Sequence, residues 1–132
     1  MSEATTVPPD SCPSIRRLMM PRDTNAVGTI FGGVILSEVD LAAAIGASEN
    51  HTGSVVTVSM DKVDFKAPVY VGDLVSFYAK TERVGRTSIT VRVDVWSQRR
   101  FGGSEMQHVT EAVVTMVAVN KEMKPIPLVP RA

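Results

Sequence analysis

An α+β domain, one long helix packed on a mostly antiparallel sheet, is the fold class this 132-residue sequence predicts. Three observations predict it. From Gly33 to Ala47 the chain carries Val34, Ile35, Leu36, Val39, Leu41 and Ile45, which leaves a helix apolar on most sides. Runs rich in valine and other β-branched residues follow that stretch. The links between them, at Gly72, Gly85 and Gly102, are of hairpin length, which makes most of the sheet antiparallel. One helix on such a sheet gives two layers around one core. The length suits a single domain and not two.

In order, residues 1–13 form an N-terminal segment rich in Ser, Thr and Pro that is expected to be flexible. The domain proper spans residues 14–122, and residues 123–132 form an extended tail marked by Pro125, Pro127 and Pro130. Ser14 to Met20 reads as an edge strand. It enters a turn-prone stretch in which Pro21, Asp23, Asn25 and Gly28 favour tight backbone geometry. The helix follows and, being apolar nearly all round, is expected to be buried. A turn at Asn50 to Gly53 leads to a strand over Ser54 to Phe65, interrupted by Asp61, Lys62 and Asp64. Pro68 ends regular pairing there.

Val71-Gly72-Asp73 turns into a strand over Leu74 to Val84, and Gly85-Arg86-Thr87 into another over Ser88 to Arg99. Within the latter, Ile89, Val91, Val93 and Val95 point one way and Thr90, Arg92 and Asp94 the other. The last strand, Gln107 to Asn120, is apolar at successive positions and is expected to be buried on both faces.

Composition excludes several classes of function. Fourteen Lys and Arg balance fourteen Asp and Glu, so no strong basic field exists to hold nucleic acid. The one cysteine, Cys12, has no partner for an intrachain disulfide and no neighbour that marks a nucleophile or metal ligand. No apolar run approaches the roughly 20 residues of a membrane span. Met1 to Asp10 lacks the pattern of a signal peptide, so the default location is cytoplasmic.

Two acids interrupt the apolar helix. At about 100° per residue Glu38 and Asp40 face roughly opposite ways. Asp40 shares its stripe with the small residues Gly33, Ser37, Ala44 and Ala47, so a ligand or a second protomer can approach it closely. Glu38 lies with Val34, Ala42 and Ile45, where a carboxylate needs a partner. A solvated helix edge or a structural hydrogen bond accounts for either acid equally well. At the start of the helix, Gly32 and Gly33 let a substrate reach backbone amides that lack intrahelical partners, and such amides suit an oxyanion.

The pattern Asp-Thr-Asn-x-x-Gly-x-Ile-Phe-Gly-Gly from Asp23, with Asp40 on the helix after it, resembles the hotdog-fold acyl-CoA thioesterases of the YciA and brain acyl-CoA hydrolase type. The resemblance continues through Val55 to Val58, Phe65 to Val69, Val71-Gly72-Asp73, Val84 to Ser88 and Thr110-Glu111-Ala112, covering roughly residues 14 to 122. It implies a hotdog domain, whose sheet wraps the helix, and hydrolysis of acyl-CoA to fatty acid and coenzyme A. By the same resemblance Asp40 is base or nucleophile and Asn25 positions water or the carbonyl. Amides near Gly32 and Gly33 are then the oxyanion donors. Asn25 would face the aspartate of an adjoining protomer.

Coenzyme A, part of the substrate and not a cofactor, would meet Lys66 and the turn Gly85, Arg86, Thr87 and Ser88, with its pantetheine arm beside Thr57 and Val58. Open strand edges and the small-residue helix face call for a twofold dimer, and the resemblance implies hexamers built as trimers of dimers. A bulky aromatic often follows the two glycines in related bacterial proteins, where this chain has Val34, which bears on the acyl pocket.

Rival readings are a non-catalytic acyl-CoA binding protein, a branch with Glu38 as the catalytic acid, and a hotdog dehydratase. The last is disfavoured because no histidine lies between residues 1 and 50. His51 and His108 lack partners at metal-ligand spacing, Trp96 is expected to pack, and Glu111 to join a buried network. No metal is expected.

Overall fold

A computed structural model describes residues 12–100, 103 and 105–131. The segment expected to be flexible lies outside these residues except for Cys12, which is exposed, and Pro13. The elements are β1 (Ile15–Leu18), a 3-10 turn (Pro21–Asp23), α1 (Gly32–Ala47), β2 (Ser54–Asp61), β3 (Leu74–Val84), β4 (Ser88–Gln98) and β5 (Met106–Val119). The five strands form one sheet in the order β1-β3-β4-β5-β2, with every neighbouring pair antiparallel. The sheet curls around α1, which touches β2, β3, β4 and β5.

Alternation in β4 sets the core. Ile89, Val91, Val93 and Val95 are fully buried against Ile35, Val39, Ala42, Ala43 and Ala47 of α1. A buried aliphatic side chain of this size stabilises the fold by about 1.5–3 kcal/mol. The helix lies so close to the sheet that a Cβ at Gly46 would stand 3.0 Å from Ala79 Cβ and 3.3 Å from Val91, which accounts for glycine there.

Several expectations need correction. α1 is buried on one face only within the chain, while Gly33, Ser37, Leu41 and Ile45, successive residues of an i+4 row, are exposed. Leu41 is 53% and Ile45 46% exposed, one turn apart on the outward side of the helix. β2 stops at Asp61 and not at Phe65, because Lys62 takes a left-handed φ of 61° and turns the chain off the edge of the sheet. In β5 Ala112, Val114 and Ala118 are fully buried, but Val113 and Val117 are only half-buried, since their side lies on the outer face of the sheet. The tail is extended but tied down. Ile126 N donates to Ala118 O, Leu128 N to Arg86 O and Val129 N to buried His51 Nδ1, each at 2.9 Å.

Asp73, in the turn before β3, is fully buried. Its Oδ2 accepts from Tyr70 N and Ser97 Oγ, and its Oδ1 from Arg99 Nε, all at 3.0 Å. Among the described residues no helix is long and apolar enough to cross a membrane.

Candidate active site

The loop before α1 is held at its base and at its tip. At the base, Asp23 Oδ2 accepts from Met20 N at 2.9 Å, Oδ1 from Arg17 Nη2 at 2.6 Å, and the Asp23 carbonyl from Phe31 N at 2.8 Å. Arg17 also reaches Glu38 Oε2 at 3.3 Å, so the second helical acid is neutralised and not presented for chemistry. At the tip, Asn25 Oδ1 accepts from Val27 N at 3.0 Å and Thr29 N at 3.1 Å, while its Nδ2 donates to Thr29 Oγ1 at 2.8 Å. Asn25 therefore does turn work within its own chain. The second Nδ2 hydrogen is the group it can still offer outward.

At the start of α1, Phe31 occupies the cap position with no side-chain hydrogen bond, and no acid lies in the first turn. The first amides are thus uncapped, with the positive end of the helix dipole behind them. Two rings flank them. A Cβ on Gly33 would fall 2.6 Å from the Phe31 ring, and one on Gly32 would touch the Phe65 ring at 3.6 Å. Gly33 has no room for a side chain while Phe31 lies across it. Beside Gly32 opens a cleft of about 360 Å³ between α1 and residues 65–69. Ile30, Ile35 and Val69 form its buried floor, with Phe65, Lys66 and Ala67 on the wall. Val34 does not line it, so the departure from the aromatic lies elsewhere on the helix.

Further along α1, Asp40 is half-buried and borders the exposed row. Thr57 Oγ1 donates to its Oδ1 at 2.5 Å. A register shift in β2 between Thr57 and Ser59 leaves Val58 57% exposed. Thr57, expected along the pantetheine path, is also the residue whose hydroxyl holds the carboxylate. The sequence held one sign of this, a threonine in the otherwise valine-rich Val55 to Val58.

Distances divide the candidates into groups. Gly32 and Asp40 stand eight positions apart on α1, about 12 Å along its axis. That spacing is long for an amide and a carboxylate of one chain acting on the same carbonyl. The Gly85–Ser88 turn shares a sheet row with Thr57, through Met116, Ile89 and Val84. Thr87 O accepts from Ala118 N, whereas Lys66 N donates to Val109 O, so the turn and Lys66 are about 30 Å apart along β5. One chain does not bring these candidate contacts together.

Lys66 Nζ bonds Glu111 Oε1 at 3.0 Å, and Arg92 Nη2 bonds Glu111 Oε2 at 2.9 Å. Burial pushes the Glu111 carboxyl up, but the hydrogen bond from Lys66 and the charges of Arg92, Lys66 and His108 hold it below its ordinary value. Burial likewise opposes the charge on Arg92, and Asp94 and Glu111 outweigh it, leaving that guanidinium raised. Asp94, His108 and Glu111 bring ligand-type atoms within 4.8 Å of one another, a grouping their separation in sequence conceals. Arg92 and Lys66 already match the two carboxylates, so little net negative charge remains to draw a cation. Trp96 stacks on His108, with ring centroids 4.9 Å apart, and packs as expected. His51 is buried beneath the tail, so neither histidine lies open as a base.

Comparison with known proteins supplies the context. The thioesterase superfamily matches residues 27–100. The acyl-CoA thioester hydrolase YciA of Escherichia coli is 42% identical over 113 residues, 84% of this chain and 86% of that protein. A hexameric hotdog-fold thioesterase of Campylobacter jejuni, Cj0915, superposes with a TM-score of 0.85 at 48% identity, covering 90% of this chain and 91% of that one. The hexameric broad-specificity acyl-coenzyme A thioesterase HI0827 does so with a TM-score of 0.86 at 40% identity, over 95% and 85%.

Proposed function

The chain belongs to the thioesterase superfamily, and from that premise we propose that it hydrolyses acyl-CoA to free fatty acid and coenzyme A at a site shared between two copies. The observation that carries this reading is the Asp40 carboxylate, fixed by Thr57 on the flank of an exposed helix row. Glu38, the rival acid, is occupied by Arg17.

Uncapped amides at Gly32 and Gly33 hold the thioester oxygen and stabilise the charge that develops on it. Asp40 of the facing copy attacks the carbonyl carbon directly, or takes a proton from a water that does so. The thiolate of coenzyme A then leaves, and where Asp40 has attacked directly a water cleaves the resulting acyl anhydride, releasing the fatty acid and restoring the carboxylate. Asn25, neutral and already fixed by its turn, offers its remaining amide hydrogen to the water or the carbonyl. The eight-residue separation along α1 supports the two-copy arrangement. So do the outer edge of β2, which no strand among the described residues pairs, and the exposed Leu41 and Ile45. Such dimers assemble further, in this reading, as trimers to a hexamer. The coenzyme A phosphates lie at the Gly85–Ser88 turn, in the sheet row of Thr57, or at Lys66; the turn's protection from hydrogen exchange by coenzyme A distinguishes them.

Thiol release from purified protein with acyl-CoAs of increasing length tests the reading. Asp40→Asn should lower turnover by about a thousandfold or more while the protein stays folded. Full activity in a folded Asp40→Asn variant removes Asp40 from the mechanism, and binding without thiol release in the native protein removes hydrolysis.

A further inference from the structure

We infer that the cleft beside Gly32 receives the acyl chain, and that Phe65 and Ala67 on its wall set which chains fit. This rests on the reading above, in which the helix-start amides hold the thioester oxygen. A carbonyl held at Gly32 has its acyl carbon next to that residue, and the nearest opening is this cleft of about 360 Å³. Its floor is apolar and rigid, for Ile30, Ile35 and Val69 are 6%, 1% and 3% exposed. No charged side chain lies on that floor, so the floor solvates a hydrocarbon, while Thr29 and Lys66 are the polar side chains that also line the cleft.

The walls have different freedoms. Phe65 is 46% exposed, and its ring lies against Gly32, at the point where the chain must leave the thioester. Ala67 lies farther along the same loop, and its small side chain leaves the space open. Thr57 bonds Asp40, and the Phe65 ring lies beside Gly32, where it would meet a Cβ at 3.6 Å. β2 and the loop after it thus follow α1 from its third turn back to its first, and the cleft lies along that seam. Residues 65–69 are anchored at both ends, Lys66 N to Val109 O at 2.7 Å and Ile30 N to Val69 O at 2.8 Å. The cleft is thereby preformed and need not be opened by the ligand.

The test reads binding apart from turnover. S-octyl-CoA, a thioether that cannot be hydrolysed, and coenzyme A are titrated calorimetrically into the native protein, Ala67→Phe and Phe65→Ala. Each buried methylene is worth roughly fourfold in affinity. With about three to four of its methylenes buried in the cleft, the octyl tail should therefore tighten binding to the native protein on the order of a hundredfold. Ala67→Phe should remove at least tenfold of that increment. Phe65→Ala should move the optimum of kcat/KM toward longer chains. An equal increment in all three proteins, or no increment in the native one, overturns the assignment. An increment in a native protein that releases no thiol counts against the hydrolysis reading and leaves the cleft standing.

Discussion

Thr57 Oγ1 lies 2.5 Å from Asp40 Oδ1, so a β2 hydroxyl points the helix carboxylate at one place. Thr57→Val keeps the shape and removes the donor. Kcat should fall by about tenfold to a hundredfold, part of the 10²–10⁴ that a positioned base contributes, with KM little changed. Thr57→Ser restores the hydroxyl and should recover most of the rate. A rate unaffected by valine would mean that Asp40 is oriented by other groups.

Such a contact shows where reading the sequence stops. The alternation of Ile89, Val91, Val93 and Val95 and the run from Gly33 to Ala47 are local patterns, and both appear in the fold as read. Strand order, β1-β3-β4-β5-β2, is not local, and it alone carries Thr57 to Asp40 across seventeen positions. The left-handed Lys62 that ends β2 carries no glycine to announce it. Glu38 was legible as an acid needing a partner, but nothing near it in sequence pointed to Arg17 twenty-one positions earlier. The exposure of Leu41 and Ile45 was hidden for another reason: an apolar helix reads the same whether its cover comes from its own chain or from a second copy.

Asp73 should matter for stability and not for chemistry. Fully buried, it is satisfied by Tyr70 N, Ser97 Oγ and Arg99 Nε. Asp73→Ala strands all three donors, Arg99 among them, and should cost about 3–5 kcal/mol. Urea unfolding at fixed protein concentration checks this, since the proposed association with a second copy would add to apparent stability. A loss under about 1 kcal/mol would show that water replaces the carboxylate there.

Acid should unfold the protein partly through Glu111. Its folded carboxyl is held below the ordinary value of 4.5, so it binds protons less readily than in the unfolded chain. Its contribution is complete above that ordinary value and is lost as pH falls through the lower folded value. Glu111→Gln should therefore be less stable than the native protein near neutral pH, with the gap narrowing as pH falls below the ordinary value of 4.5. Unfolding midpoints across that range measure it. Lys66 is 39% exposed and its share is screened by solvent and salt, so the effect follows Arg92 more than Lys66. A gap that stays constant with pH would assign the loss to packing.

Mixing two dead variants tests whether one site is built from two copies. If Asn25 and the helix-start amides act with Asp40 of the facing chain, Asn25→Ala and Asp40→Asn disable both sites of their own homodimers. A mixed dimer then has one doubly altered site and one intact site. With random pairing half the dimers are mixed and half of their sites are whole, so about a quarter of native activity should return. If both residues acted within one chain, every site would carry one lesion and none would recover. Ile45→Asp gives the control, because a charge in the exposed apolar row should stop pairing. That variant should run as a monomer by light scattering and lose turnover. A monomeric Ile45→Asp protein with native turnover would mean that Asp40 and Gly32, about 12 Å apart on one helix, never needed a second copy between them.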